Sequence, residues 1–293
     1  MSCKSFLSVV FALFLFTEGV VAQSFYAVRR DRDLIASVGA GTSTYFGELK
    51  NPKDYIDPRP SFNIGIQMFP IPHLLGNRVS TRAELTWFRL KGNDAIADDD
   101  RVERNLSFFS NNVELNAEGM LHAFPQDVKF YKRTFFNVYG FVGIGLLHIN
   151  PKTEYQGEKI ALQPLQTEGV KYSRFQFVMP YGIGIKFKSG LFYNIAIEGG
   201  WRKTFTDYLD DASIRRYPDP ALLQSDLSRA LSDRRRERDP DYPIKPNLGV
   251  RGNPEKKDSY MLVNIKLEYY LPIDLNTNDR KLMTVKRKPK RYR

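Results

Sequence analysis

The sequence predicts an all-β protein: an eight-stranded antiparallel transmembrane β-barrel with short periplasmic turns, long extracellular loops and a basic C-terminal tail. Three observations predict this fold. Eight segments alternate apolar and polar residues with period two, as strands with one apolar face do. The connections between them are alternately short and long, which is typical of outer-membrane barrels. An export signal precedes the first strand, and it indicates a protein of the cell envelope.

Residues 1–22 have the three parts of a secretory signal. Lys4 gives a positive start, Ser5 to Phe16 form an apolar run, and the small residues before Gln23 indicate cleavage after Ala22. The run is shorter than the roughly 20 residues of a membrane-spanning helix. The only cysteine, Cys3, lies in this segment, so the mature chain is expected to contain no disulfide and no thiol-bound metal or cofactor.

The strands are predicted in order along residues 23–270, which we take as one barrel domain. Their expected positions are 34–47, 61–69, 79–91, 106–122, 134–149, 173–187, 192–206 and 258–270. The fourth is the clearest, with Val113 and Leu115 on one face and Asn112 and Glu114 on the other. A soluble barrel or sandwich is the alternative. Long aromatic runs on a face with no partner sheet favour a membrane barrel.

The connections separate into two sets. Those after strands 2, 4 and 6 are 70–78, 123–133 and 188–191, and those after strands 1, 3, 5 and 7 are 48–60, 92–105, 150–172 and 207–257. Short turns are periplasmic and long loops are extracellular in such barrels. We therefore expect both termini in the periplasm, below the outer membrane of a Gram-negative bacterium. Aromatic residues near the strand ends are expected to form an interfacial girdle: Tyr45, Phe46, Trp87, Phe88, Phe192, Tyr193, Phe205 and Tyr270.

The barrel interior is predicted to be full. A mean hydropathy of −0.41 is compatible with a barrel whose strands show one polar face inward, and eight strands enclose only enough space for side chains. We expect inward charged residues to pair, because isolated buried charges are costly; an acid/base site or ion path is the alternative. This predicted lumen charge network consists of Arg82, Glu84, Glu114, Glu118, Lys186, Glu198, Arg202, Lys266 and Glu268.

The sequence predicts no catalytic, cofactor or metal site and no small-molecule substrate. The three histidines, His73, His122 and His148, lie on separate connections or strand ends with no metal-binding spacing, and we expect ordinary surface histidines. There is no GxSxG sequence and no recognisable Ser-His-Asp arrangement. An outer-membrane enzyme, such as a protease or acyltransferase, remains the alternative.

Two segments outside the strands are distinctive. In loop 207–257, Asp219 followed by Pro220 predicts a helix start, and Leu223, Leu227 and Leu231 follow at helical spacing, before the arginine-rich run 234–238. This loop either docks a partner or surface lipid phosphates, or packs its helix on the barrel rim.

The tail 271–293 holds eight basic and two acidic residues, a charge of +6. Export excludes nucleic acid, so an acidic periplasmic protein, an envelope polymer or solvent is expected around the tail.

Four stretches carry a resemblance to a known family. They read ASVGAGTSTYFGEL at 36–49, RNLSFF at 104–109, IALQPLQTEG at 160–169 and WRKTFTDYLDDAS at 201–213. In this order they resemble the PorG-type outer-membrane proteins of the type IX secretion system of Bacteroidota, from about Asp33 to Asp211 and again at the last strand. The most specific part is the family signature Thr204, Phe205, Thr206, Asp207, Tyr208, Leu209, Asp210 and Asp211.

The resemblance implies a non-enzymatic protein with no cofactor. It implies an outer-membrane anchor for a periplasmic ring built of a lipoprotein and its partner subunit (PorK and PorN), within a system that exports folded cargo and in some species supports gliding. Outer-membrane lipid surrounds such an anchor. Ring contacts are expected from the periplasmic turns and the tail, with these candidates: Ile71, Pro72, Leu74, Leu75, Arg287, Lys288, Lys290 and Arg291. An OmpA-like surface barrel for adhesion or envelope stability is the alternative.

Overall fold

The described part of the chain contains ten strands, two short α-helices and four 3-10 turns. The computed structural model describes residues 32–49, 57–69, 75–96, 101–125, 133–243, 249–255 and 257–273. The strands are β1 (Leu34–Phe46), β2 (Arg59–Met68), β3 (Val79–Asn93), β4 (Ser107–His122), β5 (Phe136–His148), β6 (Pro151–Tyr155), β7 (Glu158–Ala161), β8 (Phe175–Lys188), β9 (Tyr193–Thr204) and β10 (Ser259–Tyr270). The helices are α1 (Arg101–Arg104) and α2 (Asp226–Ser232). In this described part, no helix has both the length and the apolar character to cross a bilayer.

Eight of the described strands close into a barrel. Antiparallel pairing runs through β1, β2, β3, β4, β5, β8, β9 and β10, and β10 pairs back onto β1. The closing register places Ile35 opposite Tyr270 and Phe46 opposite Ser259. Closure leaves no unpaired barrel edge. The predicted fold class is confirmed, and the eight barrel strands start and end within about two residues of the predicted positions.

The outer surface of the barrel is apolar. Many large outward side chains are strongly exposed; Ile144 is 74% exposed and Ile183 is 70% exposed. Apolar area left in water costs about 25 cal/mol per Å², and the hydrocarbon of a bilayer removes that cost. The alternation of exposed and buried residues along β4 and β10 is therefore that of a transmembrane barrel. The fold is therefore that of a membrane-spanning β-barrel.

The predicted aromatic girdle is wrong for four of its eight residues. Phe205 and Tyr193 are exposed, and Phe46 and Trp87 are partly exposed, as a girdle requires. The other four point into the barrel and are buried: Tyr45, Phe88, Phe192 and Tyr270. The reason is the pleat: neighbours in sequence point to opposite faces, so adjacent aromatic residues such as Tyr45 and Phe46 cannot both face lipid.

The loop predicted at 150–172 contains a β-hairpin. β6 and β7 pair antiparallel, and β6 extends the barrel wall by pairing with β4 at Phe109 and Lys152. The hairpin turns at Gln156 and Gly157, whose φ angles are 52° and 84°. Two positive φ angles in succession are what a tight two-residue hairpin turn requires. Short strands of five and four residues gave too little alternation to be recognised.

The helix predicted from Asp219 begins later. The Asp219 side chain accepts from the N–H of Ala221 and caps a single 3-10 turn, Pro220–Leu222. The chain becomes extended at Leu223, and α2 begins after Ser225, whose side chain accepts from the N–H of Ser228 at 3.1 Å. The Asp-Pro pair therefore starts one turn only, and a second cap starts the helix.

One end of the barrel carries most of the hydrophobic core. We call it the loop end, because connections 47–58, 94–106, 149–174 and 205–258 leave from it; the opposite end is the turn end. The described parts of 149–174 and 205–258 form a cap over the loop end. A single cluster joins barrel residues such as Phe88, Leu147 and Tyr260 to cap residues including Leu209 and Leu231. The cap is therefore packed onto the barrel and closes its mouth.

Candidate functional site

The lumen charge network is buried inside the barrel. All nine of its predicted members are buried. Arg82 lies at its centre, with Nη2 2.6 Å from Glu118 Oε2 and Nη1 2.7 Å from Glu198 Oε2. The Lys266 ammonium donates to Glu84 and to Glu198 Oε1, the latter at 2.8 Å. These five residues form one connected group of ion pairs.

Further pairs fill the lumen above and below this centre. Towards the turn end, Lys186 Nζ lies 2.8 Å from Glu268 Oε2. Towards the loop end, Glu114 lies 3.5 Å from Arg202 Nε and accepts from the Tyr260 hydroxyl at 2.6 Å. Five carboxylates therefore face four basic groups along the axis. A filled interior requires charges that are paired and nearly balanced. The carboxylates therefore serve as structural partners of the basic groups.

Inward glycines give space to the large lumen side chains, as expected for a filled barrel. A Cβ on Gly184 would lie 2.4 Å from the Tyr139 ring, and one on Gly39 would lie 2.4 Å from Asn63 Oδ1. The Tyr139 hydroxyl donates to Glu198 Oε2 at 3.0 Å. Gly184 therefore allows a tyrosine to reach the central ion pairs.

The histidines are not all at the surface. His122 is buried, and its Nε2 lies 2.9 Å from Ser80 Oγ inside the barrel near the turn end. The expectation of a surface residue was wrong here, because His122 is the last inward position of β4. His148 lies against Phe175 with ring centroids 5.1 Å apart. His73 lies outside the described residues.

The family signature lies at the base of the cap. Thr204 ends β9, and its hydroxyl donates to the carbonyl oxygen of Asp258, which precedes β10. The N–H of Leu209 donates to Asp258 Oδ2 at 3.0 Å. Tyr208 stacks on Tyr172 with centroids 4.6 Å apart. Of the eight signature residues, Phe205 and Tyr208 are not buried, and the others are. The signature therefore builds the cap's internal structure.

Asp211 links the signature to the stretch 160–169. It accepts hydrogen bonds from the hydroxyls of Tyr172, at 2.7 Å, and Thr167. Arg251 Nη1 donates to the Asp211 carbonyl oxygen at 3.0 Å and to Glu168 Oε1 at 2.8 Å. Glu168 also accepts from the N–H of Ser213 at 2.9 Å. All of these polar side chains are buried within the cap.

Three carboxylates meet beside this network. One carboxylate oxygen from each of Glu48, Asp210 and Asp258 lies within 4.8 Å of the others; we call these residues the carboxylate cluster. The Tyr45 hydroxyl lies between two of them, 2.7 Å from Asp210 Oδ2 and 2.8 Å from Asp258 Oδ1. A hydroxyl has one proton to donate, so it satisfies only one of these oxygens at a time.

Burial and mutual repulsion raise the pKa values of the carboxylate cluster. Burial, and then the charge of Glu48, raises the pKa of Asp210 well above its usual range. Burial and then Asp210 raise the pKa of Asp258 in the same way. Burial, and then the neighbouring Asp207, raises the pKa of Glu48 to about 7. The site therefore disfavours the three negative charges that neutral pH would ordinarily place there.

The four stretches that carry the family resemblance converge here. Residues 36–49 supply Tyr45 and Glu48, residues 160–169 supply Glu168, and residues 201–213 supply Asp210. From residues 104–109, Arg104 donates to the Glu48 carbonyl oxygen at 3.3 Å and pairs with Asp94 at 2.6 Å. In the sequence, these stretches indicate only the family resemblance. They do not reveal the carboxylate cluster, because its residues are up to 210 positions apart (48 to 258).

The arginine-rich run 234–238 is only partly available to a partner. Arg234 and Arg235 are buried, paired with Glu237 at 2.7 Å and Asp233 at 2.5 Å. Arg236 and Arg238 are exposed. Of the two alternatives for this loop, packing of the short helix is observed, since Leu231 belongs to the core cluster; docking of a partner or of lipid phosphates stays a prediction.

The predicted partner contacts fall mainly outside the described residues. Ile71, Pro72 and Leu74 lie there, as do the tail residues Arg287, Lys288, Lys290 and Arg291. Leu75 is described: it is 66% exposed at the turn end. The signal segment and the residues of the tail beyond 273 are likewise outside the described part.

Comparison with known proteins finds solved structures that are similar to this chain in their barrel architecture. No family model matches the chain, and no curated protein matches it. Among solved structures, the neisserial surface protein A matches with a TM-score of 0.41 and 7% identity over 81% of this chain and 97% of its own. A major outer membrane protein from Thermus thermophilus matches with a TM-score of 0.42 and 11% identity, over 81% of this chain and 98% of its own. The attachment invasion locus protein Ail of Yersinia pestis matches with a TM-score of 0.38 and 10% identity, over 82% of this chain and 98% of its own. At this level of similarity, no function of those proteins transfers to this chain.

Proposed function

We propose that this protein is a non-enzymatic outer-membrane component of the type IX protein secretion system, which anchors or stabilises a periplasmic ring of the PorK/PorN type. The observation that carries the proposal is the convergence described above. Four stretches resembling PorG-type proteins are separated in sequence, yet they supply Tyr45, Arg104, Glu168 and Asp211 to one buried network. A shared cap structure explains why these stretches would occur together.

The filled lumen supports an anchor rather than a conduit. Arg82 and Lys266 are held by three carboxylates across the middle of the barrel, and the cap packs on the loop end. A cargo protein has no passage through such an interior. The outer apolar band instead holds the protein in the membrane, while both ends present surfaces to partners.

We place the loop end outside the cell and the turn end in the periplasm, following the usual asymmetry of such barrels. The two ends of the described chain support a common side for the termini: the N–H of Asp33 donates to the carbonyl oxygen of Ile273 at 3.4 Å, and Arg32 Nη1 donates to the Tyr270 carbonyl oxygen at 2.7 Å. The basic tail therefore leaves from the turn end. Its charge of +6 suits an acidic surface on the ring.

A trimming experiment tests the proposal. Deleting the tail residues 280–293, or changing the turn around Leu75, is expected to reduce secretion of type IX cargo. Shortening loop 215–255 is expected to leave secretion intact, provided that the variant still reaches the outer membrane. Cargo in the culture medium is measured by immunoblotting, with heat-modifiable migration in gels as the control for a folded barrel. Normal secretion after complete deletion of the gene contradicts the proposal.

A surface-binding role is the second candidate. The cap contains a cavity of about 360 Å³ lined by residues including Tyr155, Tyr217, Arg229 and Arg236. Aromatic rings beside arginines suit sugars or anionic groups. In this case, shortening loop 215–255 would abolish attachment to host or envelope material, and the tail deletion would have no effect.

A further inference from the structure

We propose that one side of the outer barrel face, at the loop end, binds the phosphate groups of a phosphorylated glycolipid of the lipid A class. Two of the basic residues that carry the proposal lie on β3, one lies on β6 and one on β7. We call these residues the basic patch: Arg89, Lys91, Lys152 and Lys159. Lys152 is partly exposed, and the other three are exposed.

The strand register brings the basic patch together on the outside of the barrel. Phe109 of β4 is an outward residue, and it lies opposite Lys91 on one side and opposite Lys152 on the other. Residues directly opposite each other in an antiparallel pair share a face. In the hairpin, Lys159 lies opposite Glu154, which is two positions after Lys152 and so points the same way. The Lys159 ammonium is 5.9 Å from the centre of the Phe109 ring, as a shared outer face requires.

The basic patch lies at the height of lipid headgroups. The outward apolar positions of β3 next to the loop end finish at Trp87, which stacks on Phe62 with ring centroids 5.8 Å apart. Arg89 is the next outward residue of β3, and Lys91 is the one after it. With a rise of about 3.4 Å per residue and a strand tilt of about 35–45°, Arg89 is about 5 Å and Lys91 about 10 Å beyond Trp87 along the membrane normal. The headgroup layer on each side of the hydrocarbon is about 5–8 Å thick, so these flexible side chains reach it.

The charges of the basic patch lack carboxylate partners within the described part of the chain. None of the ion pairs among the described residues includes one of these four bases. Glu154 is the one acid at the described outward positions of these strand ends. Four bases against one acid leave an excess of three positive charges, which an anionic headgroup would balance.

Arg89 is oriented for an anion. Its Nε donates to Asn111 Oδ1 at 2.9 Å, which fixes the plane of the guanidinium. The remaining guanidinium N–H groups make no hydrogen bond within the described residues. A guanidinium binds phosphate through two parallel N–H···O bonds, so Arg89 can hold one phosphate group while the neighbouring ammonium groups add charge.

The excess of positive charge is confined to one side of the barrel. On the opposite side, at the same end, β9 carries the outward Lys203, and the residue opposite it on β10 is Ser259. The β1 residue opposite Ser259 is Phe46. A single base therefore stands there, whereas β3, β6 and β7 present four. This asymmetry favours one lipid bound at a defined position over a uniform ring of lipids.

A lipid fits this surface better than a soluble anion does. The apolar band begins directly below Arg89, at Trp87, so the acyl chains of the same molecule can lie against it while the phosphates contact the bases. The assignment to the outer leaflet rests on the placement of the loop end outside the cell, proposed above. Binding of the lipid itself depends neither on that placement nor on the periplasmic ring.

Native mass spectrometry of the full-length mature protein in detergent, titrated with diphosphoryl lipid A, tests the proposal. We expect one lipid A per barrel. The triple variant Arg89→Gln/Lys91→Gln/Lys159→Gln should bind it about 10- to 100-fold more weakly, because each base near an anionic lipid surface contributes about five-fold. The matched control Lys203→Gln, an exposed base on the other side of the barrel, should lose about five-fold at most. Heat-modifiable migration in gels verifies that each variant is folded.

The wild-type protein alone decides the matter if the triple variant fails to fold. Dephosphorylated lipid A that binds as tightly as the diphosphoryl form would overturn the proposal. Unchanged affinity in the folded triple variant, or a loss in Lys203→Gln as large as in the triple variant, would also overturn it, as would inorganic phosphate that binds as tightly as lipid A. None of these results bears on ring anchoring, which the tail and turn variants test separately.

Discussion

Replacing Arg82 with methionine is the most informative perturbation of the barrel interior. Arg82 is buried and contacts Glu118 and Glu198 at 2.6 and 2.7 Å, with Glu84 at 3.6 Å. In Arg82→Met, Lys266 is the one remaining base of this central group, facing three carboxylates. Methionine is unbranched and can fill the space of the aliphatic stem of arginine, so the change removes charge and hydrogen bonds while leaving part of the volume filled.

The expected loss of stability follows from the broken pairs. Removing one partner of a buried ion pair costs about 3–5 kcal/mol, because an uncompensated charge stays buried. The double variant Arg82→Met/Glu118→Gln removes one of the stranded charges. We expect it to be less destabilised than the sum of its single variants, with a coupling of about 1–3 kcal/mol.

Urea unfolding of the barrel refolded in lipid vesicles measures these energies. The two tryptophans, Trp87 and Trp201, are partly exposed on the outer face of the barrel, so their fluorescence reports insertion. Arg89→Met is the matched control on the same strand; Arg89 is exposed and should change stability by no more than about 0.5 kcal/mol. A loss below about 1 kcal/mol for Arg82→Met would refute the reasoning and indicate a hydrated, screened lumen.

Three further predictions follow from the filled and capped barrel. Purified protein in planar bilayers should give no steady conductance, because paired side chains occupy the lumen; stable open-channel steps would contradict this. Gly184→Ala should destabilise the barrel by about 1–3 kcal/mol in urea unfolding, since its Cβ meets the Tyr139 ring at 2.4 Å, whereas Gly199→Ala, with no atom within 4 Å of its Cβ, should not; equal effects would disprove the packing argument. Leu231→Ala should cost about 2–5 kcal/mol and expose the cap to protease in limited proteolysis, while Leu222→Ala, at a side chain that is 76% exposed, should leave cleavage unchanged; a resistant Leu231→Ala cap would contradict the proposed packing.

The barrel was predictable from sequence because its signal is repeated. Each of eight segments shows period two, and membrane and lumen impose that alternation independently on every strand. The inward charges followed directly, since one polar face of each strand must point into the lumen. Even the ends of β4 and β10 were found to within a residue or two, because turn residues interrupt the alternation sharply.

The cap was not predictable in the same way. Its hairpin β6–β7 is too short to show a period, and α2 depends on the cap at Ser225 rather than on Asp219. The carboxylate cluster gave no sequence pattern, because Glu48, Asp210 and Asp258 come from segments that only the closed barrel brings together. Periodicity in a sequence reveals regular strands, but it does not reveal a site that is assembled from the ends of loops.

Site-specific photo-crosslinking in intact cells tests the central claim most directly. A crosslinking residue at position 75, at the exposed turn end, is compared with one at position 222, exposed on the cap; the natural side chains are 66% and 76% exposed. The account predicts that position 75 captures the ring lipoprotein or its partner subunit, identified by mass spectrometry, and that position 222 does not. Capture of ring subunits from position 222 alone, or from neither position while the ring is intact, would contradict it.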